Sequence, residues 1–321
     1  MFSTNFKIGN SNIIKSKLGF GCWGIGGGTE IAPSYGHISS KNAIRIIENA
    51  LMRNINFFDT SPAYGISEKI LGKILKRKKR EEIFLASKCG ISEFSKKENF
   101  NPDFLTEQLN KSLNDLGTDY LDLIQLHNPD KQILGNLDSI QSFIKEKKKG
   151  RIRAFGLSLK KPSDFFYIKN LDLIDSIQVN LNILDTRVIE SGIVKDCKKN
   201  NIALISRTPF GFGFLTGKIN ADHCFQNNDH RSLWNADQKK RWIDYSKKLF
   251  ESNLDSKKPS QAQFCLSFCM SLPEVSITVA GMLNEKEVLE NSNVLGMKPM
   301  NKTQIKQIIR FNKHNESFVN Y

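Results

Sequence analysis

No run of apolar residues in this 321-residue chain approaches the ~20 needed to span a bilayer, and its start lacks the apolar core of a secretory signal. Membrane residence and export are not expected. Cysteine is sparse: Cys22, Cys89, Cys197, Cys224, Cys265 and Cys269 form no CxxC pair, and the last two share only an i, i+4 helical spacing. That pattern predicts no metal site and no disulfide framework, and it fits a reducing cytoplasm. Linkers rich in proline, glycine or serine are also missing, so residues 1–321 read as one domain. Acidic residues are the scarcer charge, 33 against 47 basic, which leaves a formal +14. The excess collects at Lys76-Arg77-Lys78-Lys79-Arg80 and from Lys145 to Arg151, each between a helix end and the next strand. Lysines there complement the helix dipole and form a solvated face. A general pull on anions follows, with no specific nucleic-acid site.

What the chain does have is alternation. Short strand-like runs occur at Leu18 to Gly21, Asn56 to Asp59, Ile83 to Lys88, Leu121 to His127, Ile152 to Ser158, Ser176 to Val179, Ala203 to Arg207 and Val275 to Ala280. Between them lie segments with helical spacing, such as Ala43, Ile46, Ile47, Ala50 and Leu51, or Leu105, Leu109, Leu113 and Leu116. Strand and helix in alternation predict a parallel sheet under a layer of helices. Eight such units predict a closed α/β barrel. Phe6 to Ile13 reads as a hairpin turned at Gly9-Asn10 that plugs the barrel floor. The irregular stretch from Gly211 to Lys258, after the seventh strand, carries Phe212, Phe214, Phe225, Trp234 and Trp242 and is expected to hang over the active face.

Four polar residues stand just after apolar runs, where parallel strands deliver side chains to a barrel mouth: Asp59, Tyr64, Lys88 and His127. Singly each is ordinary, since a Tyr-Gly is usually a turn and a strand-end His is usually a satisfied buried imidazole. Together they suit reduction of a carbonyl, which needs a proton donor held against the oxygen as negative charge grows on it. Tyr64 supplies the proton. Lys88 stabilises the phenolate, Asp59 keeps Lys88 charged in a dry cleft, and His127 orients the oxygen.

The segments Gly19-Phe20-Gly21-Cys22-Trp23-Gly24, Asp59-Thr60-Ser61-Pro62-Ala63-Tyr64-Gly65, Ser67-Glu68, Leu71-Gly72-Lys73, Ser87-Lys88 and Ser112 to His127 closely resemble the aldo-keto reductase family, its sugar- and aldehyde-handling bacterial branch in particular. The resemblance implies an (α/β)8 TIM barrel with an N-terminal β-hairpin and a long loop after strand seven. It implies an NAD(P)-dependent carbonyl reductase using NADP, with NAD as the alternative, on a small-molecule carbonyl or sugar. No membrane or specific nucleic-acid partner is implied, and no feature specifies an oligomeric state.

The resemblance also places the cofactor. Gly21 and Trp23 come from the first strand end, and Ser158 with Gln178 would hold the nicotinamide carboxamide. Arg207, Thr208, Pro209, Phe210, Gly211, Gly213 and Lys218 would form the pyrophosphate loop, whose glycines let backbone amides approach. Gly281, Met282, Leu283, Glu287, Glu290 and Asn291 would grip the adenosine end.

Four positions depart from the family pattern. Arg207 stands where many members stack an aromatic on the nicotinamide, a task a planar guanidinium also performs. Leu159 replaces a common Asn. Leu283 and Glu287 replace residues that hold a 2′-phosphate in NADP-dependent members, and Glu287 would accept from a ribose hydroxyl instead. Lys286 is a compensating cation. Two other readings keep the same fold: an NAD-dependent aldose dehydrogenase, and a nucleotide-binding redox sensor or scaffold with little turnover. Substrate choice lies in the loops after Gly24, Lys88, His127 and Gly211.

Overall fold

The computed structural model describes residues 2–29, 32–136, 138–253 and 259–313. Its centre is a closed barrel of eight parallel strands: β3 (Leu18–Gly21), β4 (Phe57–Asp59), β5 (Phe84–Cys89), β6 (Leu123–His127), β7 (Phe155–Ser158), β8 (Ser176–Asn180), β9 (Ala203–Arg207) and β10 (Val275–Gly281). They pair in chain order, and β10 closes the ring on β3. These are the eight expected strands. Four begin later than the apolar runs: β4 and β5 by one residue, and β6 and β7 by two and three, where Leu121 and Ile152 pair only as an isolated parallel bridge.

Alternation along each strand sorts side chains into two cores. Ile205, Ile277, Val279, Phe57, Phe84, Ala86, Leu123 and Ala154 point inward and fill the lower barrel. Gly19 is required there, since a Cβ on it would come within 2.8 Å of the Phe57 ring. The intervening residues, such as Phe20, Phe58, Leu85, Ile124, Leu126, Leu157, Ile177 and Leu204, face the surrounding helices. Those helices bury the predicted stripes: Ala43, Ile46, Ile47 and Ala50 of Ser40–Met52, and Leu105, Leu109, Leu113 and Leu116 of Pro102–Leu116. The second helix has a full set of boundary signals, with Asn101 capping its start, Pro102 in the first turn and left-handed Gly117 at its end.

The floor differs from the expected tight hairpin. β1 (Ser3–Phe6) pairs antiparallel with β2 (Ile14–Ser16), so seven residues, 7–13, connect them. The Gly9-Asn10 turn is present inside that connection, with the Ser11 amide donating to the Ile8 carbonyl. Pairing slips outward because Ile8 and Ile14 point into the barrel and pack on Phe57, Phe84 and Leu123. Part of the basic floor is also more than a solvated face. Arg80 pairs with buried Asp122 at 2.8 Å, and Arg80 and Arg153 lie over the Tyr120 ring at 4.0 and 3.6 Å.

After β9 the insertion forms short turns and the helix Ala236–Asn253; its last five residues, 254–258, lie outside the described residues. Phe214, Trp234 and Trp242 pack at centroid distances of 5.2 to 6.0 Å and give the excursion its own small core. No helix among the described residues is long and apolar enough to cross a membrane.

Candidate active site

The inward alternation that fills the lower barrel also sets the upper tier. From Phe57 the next inward position is Asp59; from Phe84 and Ala86 it is Lys88; from Leu123 and Gln125 it is His127. The same count from Ile205 reaches Arg207, and from Ile277 and Val279 it reaches Gly281. Tyr64 joins them from the loop after β4, where it packs with Ala63 and Ile91. All four expected catalytic residues therefore meet at one mouth.

Lys88 is fully buried. Its Nζ donates to Asp59 Oδ2 at 2.5 Å and to the Thr60 carbonyl at 3.0 Å, and lies 4.8 Å from the Tyr64 ring centroid. Asp59 Oδ1 accepts from Gln178 Nε2 at 2.8 Å and Gln125 Nε2 at 3.3 Å, so both carboxylate oxygens are engaged. Burial alone would lower the Lys88 pKa, but Asp59 and Tyr64 outweigh it and hold Lys88 above the ordinary lysine value. Burial pushes the Tyr64 phenol up, and the Lys88 charge pulls it only part of the way back. The net direction is upward, so the lowering expected of Lys88 is outweighed by burial and Tyr64 stays protonated at neutral pH. His127 is driven well below its usual value by burial, then by the charges of Lys88 and Arg207, and is neutral. Ser61 Oγ lies 3.4 Å from His127 Nδ1 and accepts from the Ala63 amide at 3.2 Å. With the Ser61 hydroxyl donating to Nδ1, the imidazole keeps an Nε2–H for the cleft.

The cleft above these groups has a volume of about 460 Å³ and runs from Tyr64, His127 and Asn128 past Arg207 and Pro209 to Glu287, Glu290 and Asn291. Of the expected cofactor residues, Gly21, Trp23, Gln178, Arg207, Thr208, Pro209, Phe210, Gly213, Lys218, Gly281, Leu283, Glu287, Glu290 and Asn291 border it. Ser158, Gly211 and Met282 do not. Ser158 is buried below the mouth and donates to Gln178 Oε1 at 3.3 Å, so the carboxamide pair is bonded within itself and to Asp59. Gly211 is buried beneath its own turn. Met282 is one residue out of the inward register, which turns its side chain into the helix-side core.

Several features fit a nicotinamide nucleotide. Arg207 Nη2 donates to the Leu159 carbonyl at 2.7 Å, while its Nε is buried with no partner among the described residues. A Cβ on Gly281 would meet nothing within 4 Å, so backbone lies open to the cleft there. Lys218 pairs with Glu287 at 3.1 Å and with Glu290 at 3.8 Å, and Glu287 Oε2 accepts from the Leu283 amide at 2.9 Å.

Of the outer wall, sequence reasoning placed only Phe212 over the active face. Tyr35, Phe94, Phe212 and Arg231 also line the cleft, with the Trp23 ring at the hub: Tyr35 lies 5.2 Å away, Phe94 6.3 Å and Phe212 6.4 Å. His230 is nearer still at 4.6 Å, and its amide donates to Ser34 O, where Asp229 bridges Ser34 and Tyr35. The insertion is thus tied across the mouth to the loop after β3. Left-handed backbone gives a second clue: non-glycine Asn128, Thr208 and Phe212, with φ of 54°, 56° and 58°, all border the cleft.

The sequence model of the Aldo/keto reductase family matches residues 17–313. The aldo-keto reductase YhdN of Bacillus subtilis is 31% identical over 245 residues, spanning 74% of this chain and 71% of that protein. An NADH-specific methylglyoxal reductase of Escherichia coli is 31% identical over 250 residues, 71% of this chain and 73% of that protein. The solved holo structure of an aldo-keto reductase from Bacillus halodurans superposes with a TM-score of 0.76 at 25% identity, covering 96% of each chain.

Proposed function

This chain belongs to the aldo/keto reductase family and is an NAD(P)-dependent oxidoreductase, and on that premise we propose that it reduces a small aldehyde or ketone to the alcohol, with Tyr64 as the acid. The observation that carries this reading is the buried Asp59–Lys88 pair set under a protonated Tyr64 beside a neutral His127. Gln178, Arg207 and the open backbone at Gly281 would hold a reduced nicotinamide, which would supply the hydride to the carbonyl carbon. Tyr64 gives its proton to the carbonyl oxygen as charge develops there, and the Lys88 ammonium stabilises the phenolate left behind. Asp59 balances Lys88, so the buried ammonium keeps its charge without burdening the site with an unpaired one. His127, neutral and anchored through Ser61, donates Nε2–H to the same oxygen and fixes its direction. The aromatic wall around Trp23 forms the outer side of the cleft.

Glu287 favours NADH over the NADPH that family resemblance put first. Its two oxygens hold the Leu283 amide and Lys218, and Glu290 shares that same lysine. Two carboxylates around one ammonium leave this end of the cleft negative, which suits ribose hydroxyls and opposes a 2′-phosphate. The NADH-specific relative from E. coli is consistent with that choice. NAD use also supports a second reading, oxidation of an aldose in the reverse direction through the same four residues. The test is titration with NADH and NADPH followed by a panel of aldehydes, ketones and aldoses, read at the nicotinamide absorbance. Nucleotide binding without turnover of any of them would sink reduction and leave the sensor or scaffold reading.

A further inference from the structure

On β6 the inward position one step below His127 is held by Gln125, which stands beside Lys88 in the strand register. It is fully buried and does not border the cleft. Its Nε2 donates to Asp59 Oδ1 at 3.3 Å, while Oε1 is buried with no hydrogen-bond partner among the described residues. A carbonyl left in that state destabilises the fold, and an apolar side chain such as that of Leu123, the inward residue below, would avoid the loss. Packing alone therefore does not account for a glutamine here. Its contact with Asp59 does.

Asp59 is the group through which the relay is balanced. Oδ1 accepts from Gln125 and, at 2.8 Å, from Gln178, and Oδ2 accepts from Lys88. Gln178 lies at the cleft, where a nicotinamide carboxamide would compete for its amide, so its hold on Asp59 depends on what is bound. Gln125 is beyond the reach of any ligand, and its bond is constant. An N–H on Oδ1 keeps Oδ2 turned to Lys88 and draws negative charge toward the far side of the carboxylate. Tyr64 feels that charge. It is faced by Lys88 and Arg207, which favour the phenolate, by Asp59, which opposes it, and by neutral His127.

We propose that Gln125 is a positioning residue for carbonyl reduction: it fixes Asp59 so that Lys88 stays poised between Asp59 and Tyr64, and thereby sets how readily Tyr64 parts with its proton. The assignment rests on the reading of Tyr64 as the acid. Gln125 touches neither substrate nor nucleotide and acts through Asp59 alone.

The test is Gln125→Met, which keeps the length of the side chain and removes the donor. Withdrawing the N–H leaves more negative charge beside Tyr64, so the phenol should hold its proton more firmly. Oxidation of butan-2-ol by NAD⁺, which gives butanone, NADH and a proton, requires the Tyr64 phenolate, so kcat/KM climbs with pH to a plateau. In Gln125→Met the midpoint of that climb should move to higher pH by about half a unit or more. Tyrosinate absorbance with NAD⁺ present, each protein less its own Tyr64→Phe variant, should show the same displacement without turnover. NADH affinity and the KM for butanone should match the wild type. A midpoint that is unmoved, or that moves to lower pH, overturns the proposal, as does a loss of nucleotide affinity without displacement, the result of a merely structural role. If Gln125→Met does not fold, Gln125→Asn, which keeps an amide but withdraws it by one methylene, must show the displacement, and an unmoved midpoint there overturns the proposal. A wild type that turns over neither butanone, butan-2-ol nor the wider panel overturns the Tyr64 reading, a separate failure, and tyrosinate absorbance still decides on Gln125.

Discussion

Glu68 shows how far a single buried group reaches. It is 2% exposed, accepts from Ser87 Oγ at 2.6 Å and Ser112 Oγ at 3.2 Å, and has its carboxyl pushed up to about 7, chiefly by burial. An unfolded glutamate titrates near 4.5. The folded state therefore holds the proton more tightly, so this group's contribution is fully present below about pH 4.5. It is lost as pH rises through about 7 and is flat above, a difference of about 3 kcal/mol for a shift of this size. Glu68→Gln can accept from one serine and donate to the other once that hydroxyl turns to accept, and should flatten that stretch, so urea midpoints at pH 5 and pH 8 will differ less than in the wild type; equal pH dependence in both proteins would count against it. For catalysis the corresponding residue is Tyr64. Tyr64→Phe should lower turnover at least ~100-fold with nucleotide affinity almost unchanged, because the hydroxyl acts only as charge develops. Near-normal turnover in that variant would remove Tyr64 as the acid. Arg207 divides two roles: Arg207→Ala should weaken nucleotide binding and Arg207→Tyr restore part of it if the guanidinium stacks on the nicotinamide. Intact nucleotide affinity with a raised KM for acidic carbonyl compounds would turn it toward substrate instead.

Among elements, the β1–β2 floor and the insertion after β9 carry the positional information that single strands lack. Ile14 is fully buried against Phe57, Phe84 and Leu123, so Ile14→Ala should cost about 2–5 kcal/mol, measured by denaturant midpoint, with catalysis per folded molecule unchanged. A loss under about 1 kcal/mol would mean that the floor closes over the gap. The floor also marks what local pattern reveals. Gly9-Asn10 announces a turn, but not that Ile8 and Ile14 must point into the barrel, which depends on Phe57 far along the chain. Strand content was legible because each barrel strand is a short apolar run, and Asp59, Lys88 and His127 were legible because they end such runs. The Met282 side chain follows the same alternation in reverse: one residue past Gly281, it belongs to the other face of the strand. Tyr35, Asp229 and His230 lay beyond reach of sequence reasoning. Their joining is a contact between loops nearly two hundred residues apart, with no hydrophobic period to betray it.

For the molecule as a whole, net charge and local charge make opposite demands on the cofactor. A chain of formal +14 draws anions generally, and NADPH, with its extra phosphate, more than NADH. Glu287 and Glu290 at the adenosine end oppose that same phosphate at close range, and the Glu287 side chain is only 22% exposed. Which wins depends on distance, since at physiological ionic strength charges more than about 8 Å apart through solvent are largely screened, while a partly buried pair is not. The local term should therefore set the preference. NADH at 100 times its dissociation constant should stabilise the protein by about 2.7 kcal/mol, seen as a rise in Tm, and NADPH at the same concentration by less. Raising the salt should weaken both nucleotides while leaving the NADH advantage in place. Glu287→Gln keeps an acceptor for the Leu283 amide but removes the charge, and should narrow the gap between the two nucleotides by raising NADPH affinity. If NADPH raises Tm more than NADH at low salt and the order reverses at high salt, the overall charge of the molecule, not Glu287, governs the choice.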